Sequence, residues 1–272
     1  MTQLRVIHSE PGRTMSKEKT PALDAQVAER IAALVSGVER VIFGKRETVK
    51  LCVTGLLARG HILIEDVPGI GKTTLAQGLA RSIDCKFSRI QFTSDMLPSD
   101  ILGVTVLNPK TREFEFRPGP IFAGVVLADE INRTPPKNQS ALLEAMSESQ
   151  VSVDGVTRPL PRPFIVLATQ NPIEYEGTYT LPESQLDRFM LRVEMGYPGN
   201  EDELHIMRRR DPRAAMAHLE PVLSAGEVAA LQEQVPDIHV DDSVARYILA
   251  IVQGTRQHEH IQLGASPRAA QE

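Results

Sequence analysis

Two cysteines, Cys52 and Cys85, are all that the 272 residues contain. They are too few and too far apart for a disulfide framework or a thiolate metal site, and each sits in an apolar neighbourhood that predicts a buried thiol. No stretch approaches the roughly 18 consecutive apolar residues of a membrane span, and no apolar signal-peptide core follows the N-terminus. Positive charge is not in excess either. The formal net charge is −5 and the pI is near 5.9, which argues against wrapping nucleic acid by bulk electrostatics. Internal repeats and low-complexity segments are also missing. These absences predict a soluble, cytoplasmic protein without membrane insertion.

The sequence does contain enough apolar residues for a substantial core. Hydrophobic residues make up 42% and charged residues 24%, the balance of an ordinary globular chain. Residues 1–22 are polar, carry Pro11, Gly12 and Pro21, and read as a mobile tail. From Leu23, the recurrence of Val27, Ile31, Leu34 and Val38 predicts a helix. Short runs of Val, Ile and Leu then alternate with helical patterns: 61–65, 87–92, 125–129, 164–168 and 190–195 as strands, with a helix over 73–83. Thr134 and Pro135 predict a capped helix start before Leu142, Leu143 and Met146. Beyond Tyr197-Pro198-Gly199 the strand signals stop, and 201–210, 224–234 and 244–254 read as helices. The expected fold class is α/β, a parallel sheet flanked by helices and followed by a small all-α lid; with the glycine-rich loop Gly69-Ile70-Gly71-Lys72-Thr73 between the first strand and its helix, it is that of a P-loop NTPase. The expected boundaries are 1–22 for the tail, 23–198 for the core and 199–272 for the lid.

Pro68, Gly69, Ile70, Gly71, Lys72 and Thr73 follow a strand and open a helix, the context in which a glycine-rich loop cradles phosphate. Glycines let backbone N–H groups approach phosphate oxygens, and the helix N-terminus adds positive potential. In this reading Lys72 contacts the β- and γ-phosphates, Thr73 ligates Mg²⁺, and Thr74 completes the phosphate-binding set. Asp66 stands where the pattern has its first glycine, and tolerance of left-handed geometry is the expected reason it is accepted. Asp129 and Glu130 close the strand Val125-Val126-Leu127-Ala128-Asp129. Asp129 suits a Mg²⁺ water, and Glu130 can accept a proton from an attacking water. Asn171, past the buried strand 164–168, can orient that water.

Further strings make the reading specific. Asp129-Glu130-Ile131-Asn132-Arg133, residues 139–146, Ala168-Thr169-Gln170-Asn171-Pro172, Leu186-Asp187-Arg188-Phe189 and Gly264-Ala265-Ser266-Pro267-Arg268 resemble the MoxR family of AAA+ ATPases. The resemblance runs from about Val41 to the C-terminus. It implies ATP with Mg²⁺ as cofactors, although no base-reading motif separates ATP from GTP. It implies Asn171 as sensor 1, Arg188 as an arginine finger acting on a neighbouring subunit, and Arg268 as sensor 2. Ile42 and Phe43, within Val41–Lys45, match the segment lying against the adenine. Residues 93–120 resemble the helix-2 insert and 150–163 the hairpin before sensor 1. The implied activity is ATP hydrolysis coupled to chaperone-like remodelling of partner proteins, often ones with von Willebrand factor A domains, by a self-assembled ring, a hexamer. Because the family's lid continues past the sensor 2 motif, the lid over 199–272 is expected to be incomplete. Two rival readings are a nucleic-acid motor, which the acidic pI disfavours, and a nucleotide-gated scaffold with little turnover, which Glu130 disfavours. His258 and His260 are two apart, which does not place both on one helix face for a metal.

Overall fold

The computed structural model describes residues 25–171, 178–208 and 212–271. The expected tail, Pro172 and the last two residues of the helix expected over 201–210 lie outside them. Helices α1 (Ala25–Glu39) and α2 (Arg46–Leu57) precede strand β1 (Ile62–Glu65), which runs into helix α3 (Lys72–Ser82). Strand β2 (Phe87–Gln91) leads to the short helix α4 (Pro98–Leu102) and the hairpin β3 (Gly103–Leu107) and β4 (Phe114–Pro118). Strand β5 (Val125–Asp129), helix α5 (Pro136–Glu148), the hairpin β6 (Gln150–Val153) and β7 (Val156–Pro159), and strand β8 (Ile165–Gln170) follow. Helix α6 (Glu183–Leu186) and strand β9 (Leu191–Val193) complete the sheet. Helices α7 (Asn200–Arg208), α8 (Pro212–Ala217), α9 (Ala225–Gln234) and α10 (Asp242–Gln257) come last.

The main sheet is parallel, in the order β2-β5-β8-β1-β9. Its inner strands are apolar on both faces because helices cover both. Side chains alternate across the sheet. Ile62, Ile64, Val125, Leu127, Ile165 and Leu167 join one core with α1, α2 and α3. Leu63, Val126, Ala128, Val166 and Ala168 join the other with α5 and the insert residues Ile101 and Ile121. Each fully buried Val, Leu or Ile contributes roughly 1.5–3 kcal/mol, so the two layers dominate stability.

The helices after the sheet are not all remote from it. Leu223 and Val228 belong to the same core as α1–α3. Gln232 Nε2 donates to the Leu56 carbonyl at 2.6 Å. Ser224 caps α9 and exchanges hydrogen bonds with Glu227, a reciprocal cap that accounts for the helix start. Helix α10 differs: it buries Val252 and exposes Tyr247, Ile248, Leu249 and Ile251.

Two local expectations need correction. Helix α5 is preceded by Pro135 with Pro136 in its first turn, so the start is one residue later than Thr134-Pro135 predicts. Thr134 Oγ1 instead accepts from Asn138 Nδ2 at 2.7 Å, a buried bond that ties the first turn to its own approach. Helix α2 had not been anticipated: β-branched Thr48, Val49 and Val53 blur its periodicity, yet Val49, Cys52, Val53 and Leu56 line one buried face. The hairpin expected within 150–163 is present, turning at Asp154-Gly155 with positive φ at each, and the insert 93–120 holds another, β3–β4. Both cysteines are free; Cys52 is buried as expected, and burial pushes its thiol up to about 12, whereas Cys85 at the end of the α3–β2 turn is only half-buried, contrary to the expectation.

Candidate functional site

Because β1 lies in the interior of the sheet order and its neighbours are distant in sequence, a crevice opens outside the strand C-termini beside it. The loop from Asp66 to Gly71 occupies that crevice and α3 begins at Lys72. Gly69 and Gly71 have φ of 88° and 98°. A Cβ at Gly69 would meet nothing within 4 Å, and at Gly71 only Ile42 Cδ1 at 3.5 Å, so dihedral freedom rather than space requires glycine. Lys72 Nζ donates to the Asp66 carbonyl at 2.6 Å. Burial lowers the Lys72 pKa below the ordinary lysine value, against the opposing pull of Asp129, Asp66 and Glu130.

Asp66 keeps its place in the loop for a reason other than the one expected. Its φ is not positive. Its carboxylate instead accepts from the amides of Val67 and Met195, both at 2.8 Å, and of Gly196 at 2.5 Å. Buried Lys45 meets the other side of that segment, donating to the carbonyls of Met195 at 2.7 Å, Gly196 at 3.0 Å and Tyr197 at 2.8 Å. An anion and a cation thus fasten the chain leaving β9 to the loop and to the start of α2.

The acid pair sits at the end of β5. Asp129 Oδ1 accepts from Thr169 Oγ1 at 2.5 Å, and the same Oγ1 accepts from the Glu130 amide at 2.9 Å. Glu130 has φ 58°, a left-handed conformation uncommon outside glycine, which turns its side chain out of the strand. Gln91 Nε2 donates to Glu130 Oε2 at 2.7 Å, and Arg133 lies 3.3 Å from the same oxygen. Asp129 Oδ2 accepts from Arg89 Nη2 at 2.6 Å and Nε at 3.1 Å.

Two cavities share the loop. One, of about 220 Å³, is lined by Pro68, Gly69, Gly71, Lys72, Thr73, Arg89, Asp129, Glu130, Thr169 and Asn171. The other, of about 430 Å³, is mostly apolar; Ile42, Phe43, Ile70, Thr74, Tyr197 and Ile206 line it. Roomier clefts of about 590 and 780 Å³ lie along α3 and against α6, and neither reaches the loop. Loop, lysine, acid pair and Asn171, assembled from the ends of β1, β5 and β8, therefore meet at one point, with Ile42 and Phe43 next door.

Arg188 and Arg268 are not brought to that point. Arg188 Nη1 donates to the Leu143 carbonyl at 3.2 Å and makes a short contact to Ser147 Oγ, both on α5. The residues flanking Arg268 line the cleft beside Glu183 and Asp187. The Arg268 charge acts on His61, which precedes β1 at the sheet end opposite the loop.

The donor set fits Mg²⁺. Thr73 and Asp129 offer hard oxygens in the cavity that holds the loop, and a nucleotide site needs only one or two protein ligands because phosphates supply others. Among the described residues there is no cluster of three or more His, Cys, Asp or Glu side chains that would suit a permanent metal.

Four site residues escaped the sequence reading. Arg89 and Gln91 are two apart on β2 and so share a face, a signal hidden in a strand read only for its apolar alternation. Thr169 is a buried hydroxyl in an otherwise apolar strand, and Lys45 is a lysine with 7% exposure. Only the first and third left a trace in the pattern.

Comparisons with known proteins show the family. Residues 61–191 match the model of the ATPase family associated with various cellular activities (AAA). Chaperone MoxR1 of Mycobacterium tuberculosis is 43% identical over 259 residues, which span 89% of this chain and 68% of the relative. Protein YeaC of Bacillus subtilis is 54% identical over 236 residues, or 87% of this chain and 74% of that one. The crystal structure of a candidate ATPase from Cytophaga hutchinsonii superposes with a TM-score of 0.82 at 39% identity, covering 92% of this chain and 81% of the other. No helix among the described residues is long and apolar enough to cross a membrane. The chain belongs to the MoxR family of AAA+ ATPases.

Proposed function

We propose that this protein hydrolyses ATP and couples the cycle to remodelling of partner proteins. One observation carries the proposal: a polar cavity with Lys72, the acid pair and Asn171 adjoins an apolar cavity along a single glycine loop. A triphosphate has the same two ends. The loop amides and Lys72 would hold the β- and γ-phosphates, and Ile42, Phe43 and Thr74 would flank the base. Mg²⁺, held by Thr73 and Asp129, would supply charge neutralisation on the phosphate oxygens.

Glu130 serves as the base. It takes a proton from a water that attacks the γ-phosphorus, and the bond to the β-phosphate oxygen breaks to leave ADP and phosphate. Asn171 orients that water. Thr169 fixes both acids from the next strand, so they are aligned before substrate arrives. Arg188 acts on the nucleotide of a neighbouring subunit, which would explain why its own chain holds it on α5 and away from the loop. The ring, with six subunits, and partners carrying von Willebrand factor A domains follow from the family. MoxR1 is named a chaperone, and the same general role is proposed here.

The test is ATP turnover by the wild type beside Lys72→Ala and Glu130→Gln, with folding checked by thermal melting. Both substitutions should lower turnover by roughly 10²–10³, the scale of losing one aligned transition-state contact. Equal rates in all three would sink the assignment.

A further inference from the structure

Arg89 is not used by the reaction above, yet it lines the phosphate cavity. Two of its nitrogens, Nη2 at 2.6 Å and Nε at 3.1 Å, converge on Asp129 Oδ2. Nη2 also donates to Gln91 Oε1 at 2.8 Å, which fixes the head of the side chain. Asp129 Oδ1 is occupied by Thr169, so both oxygens of this carboxylate already have donors. The carboxylate is only 16% exposed, whereas Arg89 is 48% exposed and has solvent to move into.

We propose that Arg89 is a latch on the metal position: its guanidinium competes for the Asp129 oxygen that the divalent cation of the nucleotide complex would use. The proposal rests on the nucleotide reading of the site. Its physical basis is charge compensation in a confined space. Asp129, Glu130 and Asp66 act on Lys72, and two further cations hold the acid pair: Arg89 on Asp129 and Arg133 on Glu130. A metal–nucleotide complex brings its own positive charge and must displace the guanidinium, whose planar fork is bound to Asp129 by a charge-assisted pair. Arg89 therefore raises the metal concentration at which the nucleotide is taken up. It is a positioning residue for Asp129 and makes no contact that the bound nucleotide requires.

The test uses binding of a fluorescent, non-hydrolysable ATP analogue by the full chain, titrated with Mg²⁺, for wild type, Arg89→Ala and Arg89→Lys. The latch predicts that Arg89→Ala lowers the half-saturating Mg²⁺ by roughly three- to tenfold, the scale of a partly exposed ion pair, with affinity at saturating Mg²⁺ no weaker than wild type. Arg89→Lys, which keeps the charge and loses the fork, should fall between the two. In thermal melts Arg89→Ala should lie below wild type without metal, and the gap should close with Mg²⁺ and the analogue together. A raised or unchanged Mg²⁺ requirement overturns the latch. So does weaker binding at saturating Mg²⁺, which would make Arg89 a phosphate ligand, and so does Arg89→Lys matching wild type, because charge alone would then suffice. Failure of the wild type itself to bind the analogue would overturn the nucleotide reading instead.

Discussion

At the scale of single residues, the proposed reaction sets two demands. Lys72 must stay charged in a half-buried position, and three nearby carboxylates pull its pKa back toward the ordinary value that burial lowers. Glu130 must be ionised and aimed. Gln91 donates to it, and its left-handed backbone sets its direction. Glu130→Gln should therefore keep nucleotide affinity while turnover falls, and equilibrium binding measured beside turnover checks the split. His61 sets a different limit. Its Nδ1 accepts from the Val166 amide at 3.0 Å and its Nε2 donates to the Met146 carbonyl at 3.1 Å, so the folded protein needs the neutral ring. Burial lowers its pKa from 6.5 to about 4. The unfolded chain then binds the proton first as pH falls. Stability from this residue is complete above pH 6.5 and is lost between there and about 4. The loss approaches about 3 kcal/mol by the linkage of shift to free energy. Denaturant midpoints at pH 7 and pH 5 should differ for wild type, and the difference should shrink in His61→Gln.

At the scale of elements, strand ends and one clasp place the chemistry. β5 and β8 pair in register from Val125–Ile165 to Ala128–Ala168, which sets Thr169 beside the acid pair. Thr169→Val removes the hydroxyl that serves both Asp129 and Glu130. It should cost about 1–3 kcal/mol in stability through groups left unsatisfied, and turnover should drop while the apolar cavity is intact. Asp66 and Lys45 fasten the segment 195–197, from which the chain leaves the sheet for α7. Asp66→Ala should loosen that exit and weaken nucleotide binding by roughly tenfold, on the scale of one lost charge-assisted bond. An isotherm matching wild type would show that the loop holds its shape unaided.

At the scale of the whole molecule, the separation of Arg188 from the loop makes a statement about assembly. If the finger acts between subunits, turnover per chain should rise with protein concentration, and Arg188→Ala should flatten that rise while nucleotide binding persists. The loss at high concentration should be about 10³-fold or more, as for other arginine fingers supplied by a neighbour. A rate independent of concentration would tell against it.

How much of this was legible follows from the range of each interaction. Runs such as Ile62-Leu63-Ile64 and Ile165-Val166-Leu167-Ala168 are apolar on both faces because helices cover both, and that requirement is written into consecutive residues. The glycines, Lys72 and the acid pair were legible because phosphate chemistry needs those residue types at close spacing. Sequence alone therefore dictates the alternation of strands and helices, the phosphate loop and the family. Only the tertiary structure decides which side chains meet across strands. Arg89 reaches Asp129 and Gln91 reaches Glu130 because β2 and β5 align Gln91 with Asp129, a register that joins residues far apart in sequence. The same holds for Asp66, whose partners are amides of residues 195 and 196. Local composition sets which groups are available; sheet register and burial set which of them are close enough to interact.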